Sequence, residues 1–349
     1  MKPDTARFPS DESVRALEAE LPALAAAASE KLALDARFEC LGPGCENAAL
    51  VEEYNRLFGR TYAALLDAGL VEHLAGEFDW LARVLMRRGF EVGFFPHMLD
   101  AWVLALNSRL SRPAATELTG PLDVLKRRPA AGASQASTAA VAPEARAFLD
   151  LLRARRRRGA TGFLLERSSR TPGDRVRTIV QPALAEVGRL WEQNEMSVAE
   201  EHAATEVCRY ALMRMYDQLP EPAPAGRVGL VGCVPGEDHE VGTWLVGAEL
   251  ERRGWDICYI GRGVPEDDLV RGIRAVKAEA AFLSSQHVTN LPATRQLVER
   301  LRRDLPNVRV VLGGHAANLA AERLARPGVA VVNQFDEADR AAGEAAGDA

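Results

Sequence analysis

The residues with the clearest chemical potential are Glu237 and His239, in the loop from Pro235 to Gly242. A metal-ligating imidazole wants a carboxylate on its other ring nitrogen, which fixes the tautomer and raises basicity. Glu237, two residues earlier, can supply it. Gly242, three residues later, lets a bulky ligand approach the backbone. The same residues also suit a surface histidine in an acidic loop that caps a helix. Other chemistries are excluded. The loop has no G-x-G-x-x-G fingerprint, and no Gly-Lys-Ser/Thr follows it. Thr243 stands where a zincin would need its second histidine.

These residues need a scaffold, and the apolar pattern predicts one. Across residues 226–335, short runs rich in Val and Ile (RVGLVGCV, WDICYIG, AAFLSS, RVVLGG, VAVVN) alternate with amphipathic helical stretches. That alternation predicts an α/β, doubly wound parallel sheet of Rossmann-like form. Ligands of such sheets sit beyond the carboxyl ends of the strands. The first strand there leads into the Glu237–His239 loop. The third ends at Ser284-Ser285-Gln286, and the fourth at Gly313-Gly314. Hydroxyls and paired glycines at one sheet edge make a slot that an extended ligand tail could occupy.

Residues 144–222 read as a four-helix bundle. The expected helices are EARAFLDLLRARRRR, ATGFLLERSS, Asp174 to Glu192 and Ser197 to Leu219. Ser197-Val198-Ala199-Glu200 fits a capping box, so the fourth helix should start near Val198. Trp191 ends the third helix, and Glu201 and His202 open the fourth. The turn between them brings all three to one end of the bundle. An aromatic plane beside a carboxylate and an imidazole suits a purine-ribose group. The alternative is a core tryptophan and a solvated first helical turn, where glutamate is favoured by the helix dipole.

Taken together, residues 226–335 resemble a cobalamin-binding domain of the base-off, His-on type. The pattern is Glu237-x-His239-x-x-Gly242, Ser284-x-Gln286 and Gly313-Gly314, with Gln286 departing from the usual third position. The resemblance implies His239 as the lower axial cobalt ligand and a nucleotide tail lying against Ser284, Gly313 and Gly314. The bundle motif Trp191-x9-Glu201-His202 is similar to that of adenosylcobalamin photoreceptors of the CarH/LitR type and their AerR-like relatives. That implies adenosylcobalamin as cofactor, photolysis of its cobalt–carbon bond, and a change of oligomeric state or partner binding as the output. The expected partners are a second copy of the chain and a regulatory protein. In those photoreceptors a histidine directly follows the tryptophan and takes the upper cobalt site after illumination. Here that position is Glu192, so water, His202 or another group would have to serve. A corrinoid shuttle subunit of a methyltransferase system, or a non-photochemical cobalamin sensor, shares the His loop and remains open.

Residues 11–125 read as an N-terminal all-α helical domain, joined by a linker at 126–143. No winged helix is visible, and the basic runs Lys126-Arg127-Arg128 and Arg155–Arg158 fall at a linker and at a helix end. DNA binding is therefore not expected. Phe78, Trp80, Phe94, Phe95, His97, Met98 and Trp102 concentrate aromatic groups in a chain only 6% aromatic. They read as a helical core or as a second chromophore pocket. A helical domain ahead of a cobalamin module is similar to the photocobilins, which implies biliverdin as a second chromophore. Cys40 and Cys45 lie in an expected loop, and no covalent bilin link is predicted. Residues 336–349 are expected to be a frayed tail.

The composition suits a soluble cytoplasmic protein, and the resemblance implies a sensor without enzymatic activity. The net charge of −6 argues against a nucleic-acid binder, and the five scattered cysteines suit reduced thiols. No apolar run approaches a membrane span, and the charged N-terminus does not read as a signal peptide.

Overall fold

The computed structural model describes residues 9–34, 48–128 and 141–344. It divides into two compact units, Met1–Ser137 with Glu192–Asn194, and Thr138–Trp191 with Glu195–Ala349.

The first unit is helical, as expected. Its elements are α1 (Asp11–Ala33), α2 (Ala48–Asp67), α3 (Leu74–Arg87), α4 (Phe94–Arg109) and α5 (Arg112–Lys126). The Ser10 hydroxyl caps α1 by accepting from Ser13 N, and Glu117 Oε2 accepts from the Ser10 and Ser13 hydroxyls at 2.7 Å. The aromatic residues form the core. Phe58 and Phe78 stack at 4.4 Å, and Trp102 is fully buried with its Nε1 donating to Asn55 Oδ1 at 2.9 Å. Gly59 permits this packing, because a Cβ there would lie 2.5 Å from the Trp102 ring.

The second unit begins with the bundle: α6 (Pro143–Arg153), α7 (Arg157–Leu165), α8 (Pro172–Arg175), α9 (Gln181–Glu192) and α10 (Val198–Tyr216). The single helix expected over EARAFLDLLRARRRR is two. Arg155 takes a left-handed conformation (φ 55°), which ends α6 and turns the chain. The Arg155–Arg158 run thus forms a turn and the start of α7, rather than a cationic helix end. The third predicted helix is continuous but widened. Val176–Val180 is a π-helical turn directly before Gln181-Pro182. Pro182 has no N–H to donate, and a locally altered ladder accommodates it. The capping box of α10 is present as expected, with both of its reciprocal hydrogen bonds between Ser197 and Glu200.

The sheet contains β1 (Val228–Cys233), β2 (Asp256–Gly261), β3 (Ala280–Ser284), β4 (Arg309–Gly313) and β5 (Val329–Val331). All pairs are parallel, in the order β2-β1-β3-β4-β5. Its helices are α11 (Val241–Glu251), α12 (Glu266–Val276), α13 (Leu291–Asp304), α14 (His315–Leu319), α15 (Ala321–Leu324) and α16 (Ala338–Glu344). Strands enclosed on both faces read as continuous apolar runs, which is why the sequence pattern was legible. Leu245 of α11 joins the buried bundle core around Phe148, Leu164 and Leu212. Tyr216 Oη donates to the buried Glu249 at 2.7 Å, and its ring meets Trp244 edge-on. Bundle and sheet thus share apolar and polar contacts.

The C-terminal segment corrects the sequence reading. Residues 338–344 are not a tail but a helix, and Ala338, Ala341 and Ala342 pack with Trp255 and Phe282. Asp339 anchors it by accepting from Trp255 Nε1 at 3.0 Å and from Arg227 and Arg253 at 3.1 Å. Alanines carry little apolar signal in a sequence, yet their small size lets a helix approach a sheet closely. Of the expected linker, residues 129–140 lie outside the described residues, as do Cys40 and Cys45.

Candidate functional site

Strand register builds the site. Cys233 pairs with Ser284, and Ser284 with Gly313, so three strands end in one row. Strands β1 and β3 leave in opposite directions within the strand order, which makes their loops a topological switch point.

The β1 loop carries Glu237 and His239. Glu237 is buried, and among the described residues it accepts five hydrogen bonds. Its Oε1 takes His239 N at 2.9 Å and His239 Nδ1 at 2.6 Å. Its Oε2 takes Gln286 N at 2.7 Å, His287 N at 2.9 Å and Asn290 Nδ2 at 3.0 Å. One carboxylate therefore ties the β1 loop to the β3 loop. Burial alone would push this carboxyl up. The hydrogen bonds from His239, His287 and Gln286 reverse that and hold it well below the usual carboxylate range.

The same bond controls His239. It engages Nδ1 and leaves Nε2 as the ring nitrogen available to a ligand, on a side chain 57% exposed. The Glu237 contact raises the imidazole above its ordinary value, partial burial opposes this, and the charges of Glu237, Glu201 and Asp238 add to it. Glu201 belongs to α10, so the start of that bundle helix acts electrostatically on the sheet's histidine. Neighbouring Cys233 is inert. Its thiol is buried beside Thr243 Oγ1, and burial pushes it up to about 11.

The glycines divide into two kinds. Gly314 has φ 97°, and a Cβ there would lie 2.5 Å from the Ser285 carbonyl oxygen, so close approach of β3 and β4 loops requires it. Gly242 is exposed at the start of α11, and a Cβ there would meet no atom within 4 Å. The protein's own packing therefore leaves the Gly242 position open. Ser284 and Gly313 are half-buried at the strand ends, and the Ser284 carbonyl accepts from Val234 N at 3.0 Å.

Of the three bundle residues, Glu201 and His202 are in contact. Trp191 is half-buried at the end of α9, and Asn194 at φ 58° helps reverse the chain into α10. His202 Nδ1 lies 2.5 Å from Glu201 Oε2, and Glu201 Oε1 accepts from Thr205 Oγ1 at 2.8 Å. Sequence reasoning missed Asn290 and His287. His287 lies beside His239 with ring centroids 5.0 Å apart. Nothing local in the sequence marks either residue, since both matter only because the β1 and β3 loops meet. Gln286, which departs from the expected pattern, has a role: its backbone N–H serves Glu237 and its Oε1 accepts from His315 N at 3.0 Å.

Two family patterns, each described as a B12 binding domain, match residues 144–215 and 227–343. Residues 144–343 are a B12-binding module. The site offers one imidazole nitrogen, His239 Nε2, on an exposed ring held by Glu237, which would fit a metal that arrives already held in a macrocycle such as a corrin. Among the described residues there is no cluster of three or more His, Cys, Asp or Glu able to hold a bare metal ion.

The module is similar to two kinds of protein. The HTH-type transcriptional repressor CarH of Myxococcus xanthus is 33% identical over 170 residues, covering 47% of this chain and 55% of the repressor. The chain thus matches about half the length of that relative. Dimethylamine corrinoid protein 1 of Methanosarcina acetivorans is 29% identical over 150 residues, covering 41% of this chain and 70% of that protein. Among solved structures, the monomethylamine corrinoid protein of Methanosarcina barkeri aligns with a TM-score of 0.50 at 18% identity, covering 57% of this chain and 96% of that one. This last likeness establishes the fold of the B12-binding module.

The first unit holds a small cleft among Phe78, Leu85, Phe90, Phe94 and Leu99 with about 50 Å³ of space. That is room for a water or two, against roughly 300–1,000 Å³ for ordinary ligand pockets. Trp80 and His97 do not line it, and His97 Nδ1 lies 2.6 Å from the Gly93 carbonyl. The basic residues nearby are paired: Lys126 with Asp100 at 2.5 Å, and Arg128 with Asp79 at 3.0 Å. Among the described residues no helix is long and apolar enough to cross a membrane.

Proposed function

We propose that this protein is a light-responsive sensor that holds adenosylcobalamin between its bundle and its sheet, with His239 as the lower cobalt ligand. The observation that carries this reading is the Glu237–His239 pair at the sheet edge, with one ring nitrogen bound and the other open, and the Glu201–His202 pair at the start of α10 and the half-buried Trp191 at the end of α9 support it. A cofactor with a nucleoside on its upper face would find an aromatic plane and a carboxylate there. Bound adenosylcobalamin supplies a cobalt–carbon bond that visible light breaks.

The chain's own residues do the rest. Glu237 holds the His239 ring in one orientation. Trp191 shields the nucleoside group and Glu201 accepts its hydroxyls. When those contacts are lost, the bundle's packing and its affinity for a partner change, because light shifts the balance between two packings. The output is a change of self-association or of binding to a regulatory protein, with no catalysis by the chain itself. Biliverdin as second chromophore belongs to the same proposal, and requires the cleft in the first unit to open.

A corrinoid shuttle for methyl transfer is the second reading, favoured by the similarity to the dimethylamine corrinoid protein over 70% of its length. One experiment separates the two. The protein is loaded with adenosylcobalamin in darkness, and absorbance and gel-filtration size are recorded before and after illumination. A photolysed spectrum with a change in size supports the sensor. A light-stable spectrum, or methyl transfer from methylcobalamin, supports the shuttle. A red band on adding biliverdin would establish the second chromophore.

A further inference from the structure

Glu237 fixes where the His239 ring sits more firmly than how it is turned. Both hydrogen bonds between the two residues pass through one oxygen: Glu237 Oε1 accepts from His239 N at 2.9 Å and from His239 Nδ1 at 2.6 Å. A hydrogen bond at one ring atom tolerates a range of tilts about it. Tilting moves Nε2, the nitrogen that has to meet a ligand, and turns the direction of its lone pair. The side chain is 57% exposed, so packing covers less than half of it.

A second ring stands beside it. His287 lies in the loop after β3, its ring centroid 5.0 Å from that of His239 and the two planes 41° apart. Tilted rings at that spacing attract one another. The backbone that carries His287 is well held. Its N–H donates to Glu237 Oε2 at 2.9 Å, its carbonyl accepts from Asn290 N at 3.0 Å, and the next residue, Val288, is buried. One carboxylate therefore anchors both histidines, Oε1 the first and Oε2 the second. His287 itself is exposed, so the loop is held by Val288 and by the backbone hydrogen bonds rather than by burial of the imidazole.

We propose that His287 is a positioning residue: its ring bears on the His239 ring and sets the tilt at which Nε2 is presented to the cobalt. The proposal rests on His239 as the cobalt ligand and not on light sensing. Two contacts then share the work. Glu237 fixes the tautomer and the place of Nδ1, and His287 removes the remaining rotation. A ligand nitrogen set in advance in this way loses less freedom when the cofactor binds. The bulk of the ring carries the effect, so a phenyl group in place of the imidazole should serve equally.

The test has two arms, both on the full chain. The first uses cofactor-free protein with carbon-13 in its histidines, the His239 ring signals being assigned by their absence in His239→Gln. His287→Ala should move those signals, because the neighbouring ring current is lost, and His287→Phe should keep them shifted. The second arm adds cobalamin. Affinity is read by absorbance titration, and the axial nitrogen by electron paramagnetic resonance of the reduced cofactor with nitrogen-15 in the protein's histidines. A doublet then reports a protein imidazole and a triplet the cofactor's own base. His287→Ala should bind about tenfold more weakly and show doublet and triplet together. His287→Phe should bind as the wild type does and show the doublet alone. Unmoved His239 signals in His287→Ala, wild-type affinity with a full doublet in that variant, or a phenylalanine variant as weak as the alanine one overturns the proposal. A wild-type protein that shows the triplet alone, or retains no cobalamin, overturns the His239 assignment beneath it, a result distinct from the others.

Discussion

The two Glu–His pairs share a motif and differ in everything around it. Glu237 is buried and bonded to two loops, while Glu201 sits on an exposed helical turn and accepts from His202 and Thr205. The first pair belongs to the sheet edge and fixes the orientation of the His239 ring. The second can change partners at little cost, because water replaces whatever it gives up.

Substitution should expose this asymmetry. Glu237→Ala leaves Gln286 N, His287 N and Asn290 without their acceptor in a buried site. It should cost about 3 kcal/mol of stability in urea unfolding of the second unit. It should also weaken cobalamin binding about 10- to 100-fold, as loss of a ligand's orienting partner does. Gly314→Ala forces a Cβ against the Ser285 carbonyl and should cost about 2 kcal/mol by the same assay. Asn290→Ala removes one of several donors to Glu237 and should cost about 1 kcal/mol. Glu201→Ala should change stability by about 0.5 kcal/mol or less, as surface changes do. A Glu201→Ala effect as large as that of Glu237→Ala would erase the distinction.

Acidity separates the pairs as well. The Glu237 carboxyl is depressed in the folded state, so its stabilising contribution is complete above its unfolded value near ~4.3. It is lost progressively as pH falls from there toward the folded value. Glu237→Gln should flatten that acid limb of a stability profile. His239 is raised in the folded state, so its pairing stabilises the cofactor-free protein below ~6.5 and is lost as pH rises through the folded value. Cobalt competes with that proton. Cobalamin affinity should therefore rise with pH until His239 is neutral, and titration calorimetry across that range checks it. An affinity independent of pH there would contradict His239 as ligand.

Much of this was legible in the sequence, for physical reasons. Buried parallel strands write themselves as apolar runs, and the Ser197–Glu200 box fixed the start of α10. The spacing of Glu237, His239 and Gly242 marked the loop that Glu237 ties to the loop after β3. What escaped depends on long-range meeting or on weak local signals. Asn290 became part of the site only through β3 lying beside β1. The alanines of α16 gave too little apolar contrast to announce a packed helix, and the Arg155 reversal interrupts a run that reads as helix throughout. The aromatic residues of the first unit left core and pocket both open. The structure puts Phe78, Phe94 and Trp102 in the core.

The central claim is that a protein imidazole, His239, replaces the cofactor's own base beneath the cobalt. Electron paramagnetic resonance of the reduced, one-unpaired-electron cobalamin bound to protein labelled with nitrogen-15 in its histidines tests this directly. Coupling to the labelled imidazole should split each cobalt line into a doublet, and His239→Ala should abolish that pattern. A triplet from unlabelled nitrogen in the wild-type protein would mean that the cofactor keeps its own base, and would contradict the assignment.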